Sequence, residues 1–213
     1  MSSIEQKHVN EVYNSISEHF SDTRFCIWDF VKKFLDTKTS NMRGIDIGCG
    51  NGKNMYYNKS LNIDGFDNCL NFVKICKEKG LNVKCGDCLC LPCQPNTYNY
   101  AMAIAVYHHM ASDEHRKTAI IEMIRCLKSG GKGIFSVWSI ENQESEKITR
   151  NFVPGDNYVK WMRKRDGKIF QRYYHVYSKE MITSFMKINF QELIRDIKIY
   201  NERGNWIVEF TKI

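Results

Sequence analysis

Prolines and long hydrophobic runs are scarce in this chain of 213 residues. With only three prolines there is no proline-rich linker, and no segment repeats, so residues 1–213 are expected to form a single domain. No apolar run approaches the roughly 20 residues that a membrane-spanning helix needs. Residues 1–8 lack the apolar segment of a secretory signal, so a cytoplasmic, and also a nuclear, location is expected.

Glycine is concentrated in one place, directly after a short apolar strand that is predicted to end at Ile47. It recurs there at every second position, as Gly48, Gly50 and Gly52. Residues without a Cβ atom let the backbone turn sharply and approach a ligand closely. The spacing differs from that of the dinucleotide fingerprint, whose third glycine comes one residue later. By itself the loop is also compatible with an ordinary strand-to-helix turn.

Acidic residues end the next two predicted strands. Residues 61–67 form the first of these strands, which ends at Asp67, and residues 82–87 form the second, which ends at Asp87. A carboxylate at the tip of the second strand of an α/β sheet can accept hydrogen bonds from both hydroxyls of a ribose. Further strands are predicted at residues 100–106, 127–138, 193–200 and 205–211. The run at 100–106 is continuously apolar, as expected when helices cover both faces of a sheet.

The pattern Asp46-x-Gly48-x-Gly50-x-Gly52, followed by Asp67, resembles motif I of the class I methyltransferases, which bind S-adenosylmethionine. The resemblance implies an α/β fold with a Rossmann-like, doubly wound and mostly parallel seven-stranded sheet. It also implies an N-terminal helical cap at residues 1–40, a cofactor-binding half at 41–138, and an acceptor-side insertion with the last strands at 139–213. The residues expected to contact the cofactor are Tyr13, Asp46, Gly48, Cys49, Gly50, Asn51, Gly52, Asp67, Asn68, Asp87, Cys88 and Ala105.

Cysteine is abundant, with nine residues, but the chain is large enough to form a core without disulfides. Four cysteines, Cys85, Cys88, Cys90 and Cys93, have a spacing that could hold zinc or an iron–sulfur cluster. Structural zinc sites usually separate their cysteine pairs by a dozen or more residues. A metal would also pull Asp87 away from the nucleoside that it is expected to bind. We therefore predict no metal site.

Positive charge is concentrated between residues 147 and 172. The chain has a formal net charge of +7, and this segment carries eight basic residues against two acidic ones. Aromatic residues lie among the charges, a combination that suits single-stranded nucleic acid. A solvated surface loop is the alternative, but the segment follows the fifth strand, where this fold builds its acceptor site. RNA contacts are therefore expected from Lys160, Arg163, Lys164, Arg165 and Lys168.

Five further motifs are typical of one family within the class. They lie at residues 12–28, 104–109, 138–143, 152–154 and 172–177. Together they are similar to the eukaryotic tRNA methyltransferases that esterify 5-carboxymethyluridine at the wobble position, and the resemblance extends to Asn205 and Trp206. It implies methyl esterification within the tRNA anticodon stem-loop, giving 5-methoxycarbonylmethyluridine. The alternatives are a small-molecule methyltransferase, including one that acts on arsenite, and a non-catalytic cofactor-binding subunit.

This reaction needs a site for an anion rather than a general base. A carboxylate with a pKa of about 4 is already ionised at neutral pH. Its attack on the methyl group of a sulfonium removes both charges, so a desolvated site favours the transition state. We expect Arg24 and Arg172 to bind the acceptor carboxylate bidentately. Single hydrogen bonds to the acceptor are expected from His19, His109, Tyr173 and His175.

The resemblance also implies a protein partner, because the catalytic subunit of this family is held by a small zinc-ribbon activator in a heterodimer. The expected sheet order places the third strand, residues 82–85, at an edge, where unpaired backbone groups invite strand addition. The helix before it has an apolar arc of about 220°, wider than packing on one sheet requires. We expect the excess, centred near Ile75, to meet the activator. The alternative is that the N-terminal helix or a neighbouring loop covers it.

Overall fold

The computed structural model describes residues 2–141 and 152–213. Its helices are α1 (Ser3–Glu5), a π-helical segment (Gln6–Asn10), α2 (Glu11–Asp22), α3 (Asp29–Asp36), α4 (Lys53–Tyr57), α5 (Leu70–Glu78), a 3-10 turn (Tyr107–His109), α6 (Asp113–Cys126) and α7 (Lys179–Phe190). Its strands are β1 (Arg43–Ile47), β2 (Asn62–Asp67), β3 (Val83–Cys85), β4 (Tyr98–Ile104), β5 (Leu127–Trp138), β6 (Gly155–Met162), β7 (Ile169–Val176), β8 (Ile194–Glu202) and β9 (Asn205–Lys212). In these described residues no helix is long and apolar enough to span a membrane.

Seven strands form one sheet in the order β3-β2-β1-β4-β5-β9-β8. The first five strands of that order pair in parallel, and β9 pairs antiparallel with both β5 and β8. The prediction of a doubly wound, mostly parallel seven-stranded sheet is therefore confirmed, with β3 at one edge. Because the strand order reverses between β1 and β4, the loops after these two strands separate and leave a crevice at the carboxyl edge.

Strand β4 shows why its sequence is continuously apolar. Successive side chains of a strand point to opposite faces of the sheet. Ala101 and Ala103 face a core that includes residues of α6 and α7, whereas Tyr100 and Met102 face a core built by α3, α4 and α5. All four side chains are buried. Both faces of the sheet are therefore covered by helices, which leaves the carboxyl edge as the open side of the central strands.

Two predicted strands end earlier than expected. β3 ends at Cys85, because the chain leaves the sheet at Gly86, and the Asp87 Oδ1 then accepts a hydrogen bond from the backbone N–H of Leu89 at 2.9 Å. β4 ends at Ile104, because Ala105 has a left-handed backbone with φ 61°. Such a conformation costs a non-glycine residue about 1–2 kcal/mol and turns the chain away from the strand. It carries the segment after Ala105 over the carboxyl edge of the sheet.

A separate antiparallel hairpin, β6–β7, was not predicted. Its strands pair from Gly155 with Val176 to Met162 with Ile169. The turn closes where the N–H of Gly167, with φ 69°, donates to the carbonyl of Arg163 at 2.9 Å. Asp-Gly between alternating polar and apolar residues is a hairpin signal. From its charge alone, this segment was expected to be an RNA-binding region, with a surface loop as the alternative.

The N-terminal helices connect the two halves of the crevice. The Asn14 carbonyl on α2 accepts a hydrogen bond from Asn71 Nδ2 on α5 at 2.9 Å. The Ser15 carbonyl, one residue later, accepts one from Arg163 Nη1 on the hairpin at 3.0 Å. The side chain of α2 residue Phe20 packs on Phe72 of α5, with ring centres 5.7 Å apart. Helix α2 therefore fixes the hairpin relative to the sheet edge that carries the glycine loop.

Candidate active site

The glycine loop is held closely against strand β2. The N–H groups of Gly48 and Cys49 donate to the Phe66 carbonyl at 2.7 and 3.0 Å. Gly48 and Gly50 both have positive φ, at 66° and 54°. A Cβ atom on Gly48 would lie 2.6 Å from a methyl of Val106, whereas one on Gly50 would meet nothing within 4 Å. Gly48 is therefore needed for packing, and Gly50 leaves open space for a ligand.

Asp67 is the carboxylate that faces this space from the end of β2. Its Oδ2 accepts a hydrogen bond from the N–H of Gly50 at 2.8 Å, and its Oδ1 accepts one from Cys69 at 2.9 Å. Burial raises the pKa of Asp67 to about 6, although these two backbone bonds oppose the shift. At neutral pH the group is therefore mainly ionised, with lone pairs left to accept from the hydroxyls of a nucleoside.

Asp46, at the base of the loop, is enclosed by protein rather than open to the crevice. Burial raises the pKa of Asp46 to about 8, and the nearby side chain of Asn54 offsets only part of that effect. At neutral pH the carboxyl group is therefore mainly protonated. Because Asp46 does not line the cavity, it supports the loop from below rather than contacting a ligand.

The loop opens into a cavity of about 380 Å³ at the carboxyl edge of the sheet. The predicted cofactor residues that line it are Tyr13, Gly48, Cys49, Gly50, Asn51, Asp67, Asn68, Cys88 and Ala105. Asp46, Gly52 and Asp87 do not line it. A Cβ atom on Gly52 would lie 2.4 Å from Leu81, so this glycine serves packing, and the Asp87 carboxylate is bonded within its own turn. Of the predicted acceptor residues, Arg24, His109 and Arg172 line the cavity.

Arg172 is the buried cation of the cavity. Its guanidinium carbon lies 4.7 Å from the centre of the Trp161 ring and 5.2 Å from that of Tyr174. Among the ion pairs of the described residues none includes Arg172, and its Nε has no hydrogen-bond partner there. Buried charges are normally paired, because their removal from water is costly. A carboxylate that entered the cavity would supply the missing partner.

Arg24 approaches the same indole from the N-terminal segment. Its guanidinium carbon lies 5.8 Å from the Trp161 ring centre and 5.5 Å from that of Phe20. The side chain is exposed, and its Nη1 donates to the neighbouring Thr23 carbonyl at 3.1 Å. His19 packs on the other side of Trp161 and does not line the cavity, so the structure does not place its ring beside an acceptor.

A directed chain of hydrogen bonds fixes His109. Its Nδ1 lies 2.8 Å from the Tyr173 carbonyl, which can only accept, so Nδ1 carries the proton. Burial lowers the pKa of His109 to about 3, so the ring is neutral and Nε2 accepts from the Tyr13 hydroxyl at 3.0 Å. Tyr13 has then used its proton, so the Tyr174 hydroxyl, 3.3 Å away, donates to it. His109 cannot give the acceptor the hydrogen bond that was expected of it.

Tyr173 and His175 point away from the cavity, contrary to expectation. Alternation along β7 directs Arg172 and Tyr174 to one face of the hairpin and Tyr173 and His175 to the other. On that other face the Tyr173 hydroxyl donates to Asp156 Oδ1 at 2.6 Å, and His175 Nδ1 lies 2.8 Å from the same oxygen. Both side chains therefore serve the hairpin, and neither reaches an acceptor in the cavity.

Further aromatic side chains line the cavity beyond the residues expected to bind the acceptor; of His108 and His109, which follow the fourth strand, at least one was expected to face the cofactor. Tyr174 lines the cavity and stacks on Trp138, with ring centres 3.9 Å apart and planes 7° from parallel. His108 also lines the cavity, 5.0 Å from the Tyr174 ring centre. Once Arg172 is assigned to the site, the two-residue period of a strand places Tyr174 on the same face and Tyr173 on the opposite face. Trp138 carried no comparable local signal, since an aromatic residue at a strand end is common.

The cysteines do not converge on one point. Cys85 and Cys90 are exposed, whereas Cys88 and Cys93 are partly buried. Over residues 2–141 and 152–213 no group of three histidine, cysteine or acidic side chains is placed to hold a metal ion. Burial strongly raises the pKa of the Cys88 thiol, which makes it a poor nucleophile and a poor ligand.

The basic residues of the segment divide into two groups. Lys160, Lys164, Arg165 and Lys168 are exposed on the hairpin and its turn. Arg163 is instead engaged: its Nε donates to Asp166 Oδ1 at 3.0 Å, and its Nη1 donates to Ser15. It therefore anchors the hairpin to α2. Lys147 and Arg150, which contributed to the predicted positive charge, lie outside the described residues, as do residues 142 and 143 of the sequence motif.

The edge helix exposes a different residue from the one expected. Phe72, Val73 and Cys76 of α5 are buried, and Ile75 is partly buried. The exposed apolar residue is Leu70, at 65%, at the start of the helix. The prediction that an apolar excess is centred near Ile75 is therefore wrong. Contacts from α2, such as that of Phe20 with Phe72, cover part of the arc.

Comparison with known proteins identifies a methyltransferase domain and, within that class, a tRNA methyltransferase family. Residues 45–135 match the family model described as "Methyltransferase domain". The chain is 36% identical over 193 residues to a "tRNA (carboxymethyluridine(34)-5-O)-methyltransferase" of Schizosaccharomyces pombe, which covers 82% of this chain and 84% of the relative. An Arabidopsis thaliana protein of the same name is 39% identical over 147 residues, and covers 69% of this chain. This chain spans only 36% of that longer relative.

Solved structures agree on the fold. The complex of DhpI with SAH has a TM-score of 0.71 at 13% identity, and the match covers 100% of this chain and 98% of DhpI. The methyltransferase in a complex with the Trm112 methyltransferase activator of Haloferax volcanii has a TM-score of 0.64 at 15% identity, covering 97% and 98%. At these identities the likeness concerns the fold alone.

The residues at the sheet edge fit the cofactor of this fold. Gly50 leaves room for a ligand, and Asp67 offers acceptors for its hydroxyls. These two features coincide with the motif by which the fold binds its methyl donor. The chain therefore belongs to the tRNA (carboxymethyluridine(34)-5-O)-methyltransferase family and uses S-adenosylmethionine as its methyl donor.

Proposed function

We propose that this protein methylates the side-chain carboxylate of 5-carboxymethyluridine at position 34 of tRNA. The observation that carries the proposal is Arg172, a buried guanidinium that lines the cavity and has no carboxylate partner in the described residues. Arg24 lines the same cavity, and its guanidinium carbon lies 5.8 Å from the Trp161 ring centre. Two guanidinium groups can hold a carboxylate bidentately and compensate for its loss of water.

The protonation of the site suits an acceptor that is already ionised. Both ring nitrogens of His109 are used within the protein, so this residue has no lone pair free to take a proton from an amine or a hydroxyl. When bound, S-adenosylmethionine supplies an electrophilic methyl group on a positively charged sulfur. The new bond joins a carboxylate oxygen to that methyl carbon as the carbon–sulfur bond breaks, and no proton moves. What Arg24 and Arg172 contribute is the position of the attacking oxygen.

The other two readings of the sequence gain less support. An arsenite methyltransferase would use a cluster of thiols, and in the described residues no group of three histidine, cysteine or acidic side chains is placed to hold an ion. A small-molecule enzyme would not need exposed cations on a hairpin beside the cavity. A non-catalytic subunit would not need an unpaired buried arginine, because such a charge destabilises a fold that does not use it.

The test is nucleoside mass spectrometry of an anticodon stem-loop RNA that carries 5-carboxymethyluridine at position 34. With labelled S-adenosylmethionine and the protein, alone and with a zinc-ribbon activator, we expect labelled 5-methoxycarbonylmethyluridine. The matched control is the same RNA with unmodified uridine at position 34, which lacks the carboxylate. Label in the control RNA, or no label in either RNA with the activator present, would contradict the proposal.

We further propose that the exposed basic side chains of the hairpin bind the phosphates of the RNA. Lys164 and Arg165 lie in the turn and are not engaged as Arg163 is. Each lost phosphate contact should reduce the slope of log affinity against log salt by about 0.7 for single-stranded RNA. The double replacement of Lys164 and Arg165 by Ala should therefore lower that slope by about 1.4. Replacement of the exposed Lys198 on β8, at the far sheet edge, is the control and should leave it unchanged.

We also propose that the edge formed by β3 and α5 binds a zinc-ribbon activator. β3 has one free edge in the sheet, and Leu70 is exposed beside a shallow groove that Val73, Lys74 and Lys77 line. Replacement of Leu70 by Lys should prevent co-purification with the activator. Ile188 on α7 is exposed by 75%, so Ile188→Lys tests whether any exposed apolar residue has the same effect.

A further inference from the structure

His108 precedes His109 in the chain, but its ring is held in the opposite tautomer. The backbone N–H of Trp138 lies 3.1 Å from His108 Nδ1. A backbone N–H can only donate, so Nδ1 is the acceptor and carries no proton. Burial, together with the charge of Arg172, lowers the pKa of His108 well below its usual range. The ring is therefore neutral, and its one proton is on Nε2.

The Nε2–H group is open to the cavity. His108 lines the cavity together with Arg172 and Tyr174. In the described part of the chain no acceptor is bonded to Nε2, and this nitrogen is not sealed off as the ring nitrogens of His19 are. The ring is held on its other sides by His109 and Tyr174, whose ring centres lie 4.5 and 5.0 Å away. Nε2–H is thus a held donor that no acceptor in residues 2–141 or 152–213 occupies.

We propose that His108 Nε2–H donates a hydrogen bond to an oxygen of the acceptor carboxylate that Arg172 binds. This inference rests on the proposed function and adds a third point of attachment to the two arginines. A third donor binds one of the two carboxylate oxygens, and so distinguishes the oxygen that is held from the oxygen that attacks. A neutral donor also suits this position, because a further cation beside Arg172 would be repelled.

Two substitutions separate this role from support of the Trp138 backbone. In His108→Asn the amide oxygen can occupy the position of Nδ1 and accept from Trp138, but no group reaches the position of Nε2. In His108→Gln the amide reaches the position of Nε2 and can donate, while Trp138 loses its acceptor. We expect His108→Asn to lower kcat/KM for the carboxymethylated stem-loop by about 10- to 100-fold, the range for a hydrogen bond to a charged group. His108→Gln should stay within about tenfold of the parent.

Calorimetry should give parent-like S-adenosylmethionine affinity for both variants, since neither change touches Asp67 or the glycine loop. The reverse order of activities, with His108→Gln the weaker variant, would show that the ring only supports Trp138 and would overturn the proposal. A third measurement uses the unmodified protein: nitrogen-15 NMR should report the Nε2–H tautomer of His108 from pH 6 to 8. Observation of the Nδ1–H tautomer or of a charged ring would also overturn it. If the parent enzyme does not methylate the stem-loop at all, the proposed function fails instead.

Discussion

Replacement of Arg172 by Met separates the needs of catalysis from those of folding. If Arg172 makes two charge-assisted hydrogen bonds to the acceptor, at roughly 1.5–3 kcal/mol each, the variant should lose about 3–6 kcal/mol of transition-state binding. That corresponds to a loss of roughly 10²- to 10⁴-fold in kcat/KM. Binding of S-adenosylmethionine should remain within about twofold of the parent, because Asp67 and Gly50 are untouched.

The effect on stability should have the opposite sign. A buried charge without a partner costs several kcal/mol of desolvation. Contacts with the Trp161 and Tyr174 rings, at 4.7 and 5.2 Å, return about 0.5–2 kcal/mol each. A methionine of similar volume removes the desolvation cost and keeps most of the packing against the two rings. We therefore expect Arg172→Met to be as stable as the parent or more stable, by about 1 kcal/mol, which raises the melting temperature by roughly 2–4 °C.

The assays are single-turnover methylation of the carboxymethylated stem-loop and differential scanning calorimetry without ligands. Arg43 supplies the control, because its Nη2 lies 2.7 Å from the Asp64 carboxylate at the start of β1, away from the cavity. Arg43→Met leaves a buried carboxylate without its cation, so it should lower the melting temperature and leave methylation intact. The reasoning is refuted if Arg172→Met keeps more than a tenth of the parent kcat/KM, or if it is destabilised as strongly as Arg43→Met.

Three further predictions concern the loop, its base and the hairpin. Burial raises the pKa of Asp46 from an ordinary 3.8 to about 8, so the folded state binds its proton more tightly than the unfolded state, and stability should fall as the pH rises from about 4 to 8. Asp46→Asn should therefore show a smaller fall in melting temperature between pH 5 and pH 8 than the parent protein does. A pH profile equal to that of the parent would contradict the raised pKa of Asp46 in the folded state. Gly50→Ala should retain most of its stability and lose S-adenosylmethionine affinity in calorimetry, because its Cβ atom enters the open space where a ligand would lie. Gly48→Ala should unfold at lower temperature, because its Cβ atom meets Val106. Equal melting temperatures of the two variants would contradict these separate roles. Arg163→Ala should increase hydrogen exchange in the hairpin and in α2, because it removes the hydrogen bond to Ser15. Lys164→Ala should change RNA affinity alone. The same exchange pattern in both variants would show that Arg163 does not anchor the hairpin.

Some features of this protein are local in the sequence, and these could be predicted. The alternate glycines after an apolar strand, and the aspartates at the ends of Asn62–Asp67 and Arg43–Ile47, depend only on neighbouring residues and on the period of a strand. Buried strands can be recognised in the sequence as apolar runs, because helices cover both faces of the sheet. The order of the strands, and the position of β3 at an edge, followed from the fold that the motif implies.

The distribution of the acceptor residues was decided by the tertiary structure. Arg172 and Tyr173 are neighbours in sequence, yet pairing of β7 with β6 directs one to the cavity and the other to Asp156. Composition could not reveal that pairing, because a charged hairpin and a charged loop have similar residues.

The tautomers were likewise beyond the sequence. His108 and His109 are the same residue type at adjacent positions, but one meets a backbone donor from Trp138 and the other a carbonyl from Tyr173. Trp138 and Tyr173 lie about 30 or more residues from these histidines along the chain. Which backbone group each of them presents depends on how strands β5 and β7 pack against the turn at Tyr107–His109. A local sequence pattern sets the period of an element. Only the packing of distant elements determines whether a histidine directs an N–H group or a lone pair into the cavity. The reason is that a hydrogen bond forms with whichever group the fold brings within about 3 Å.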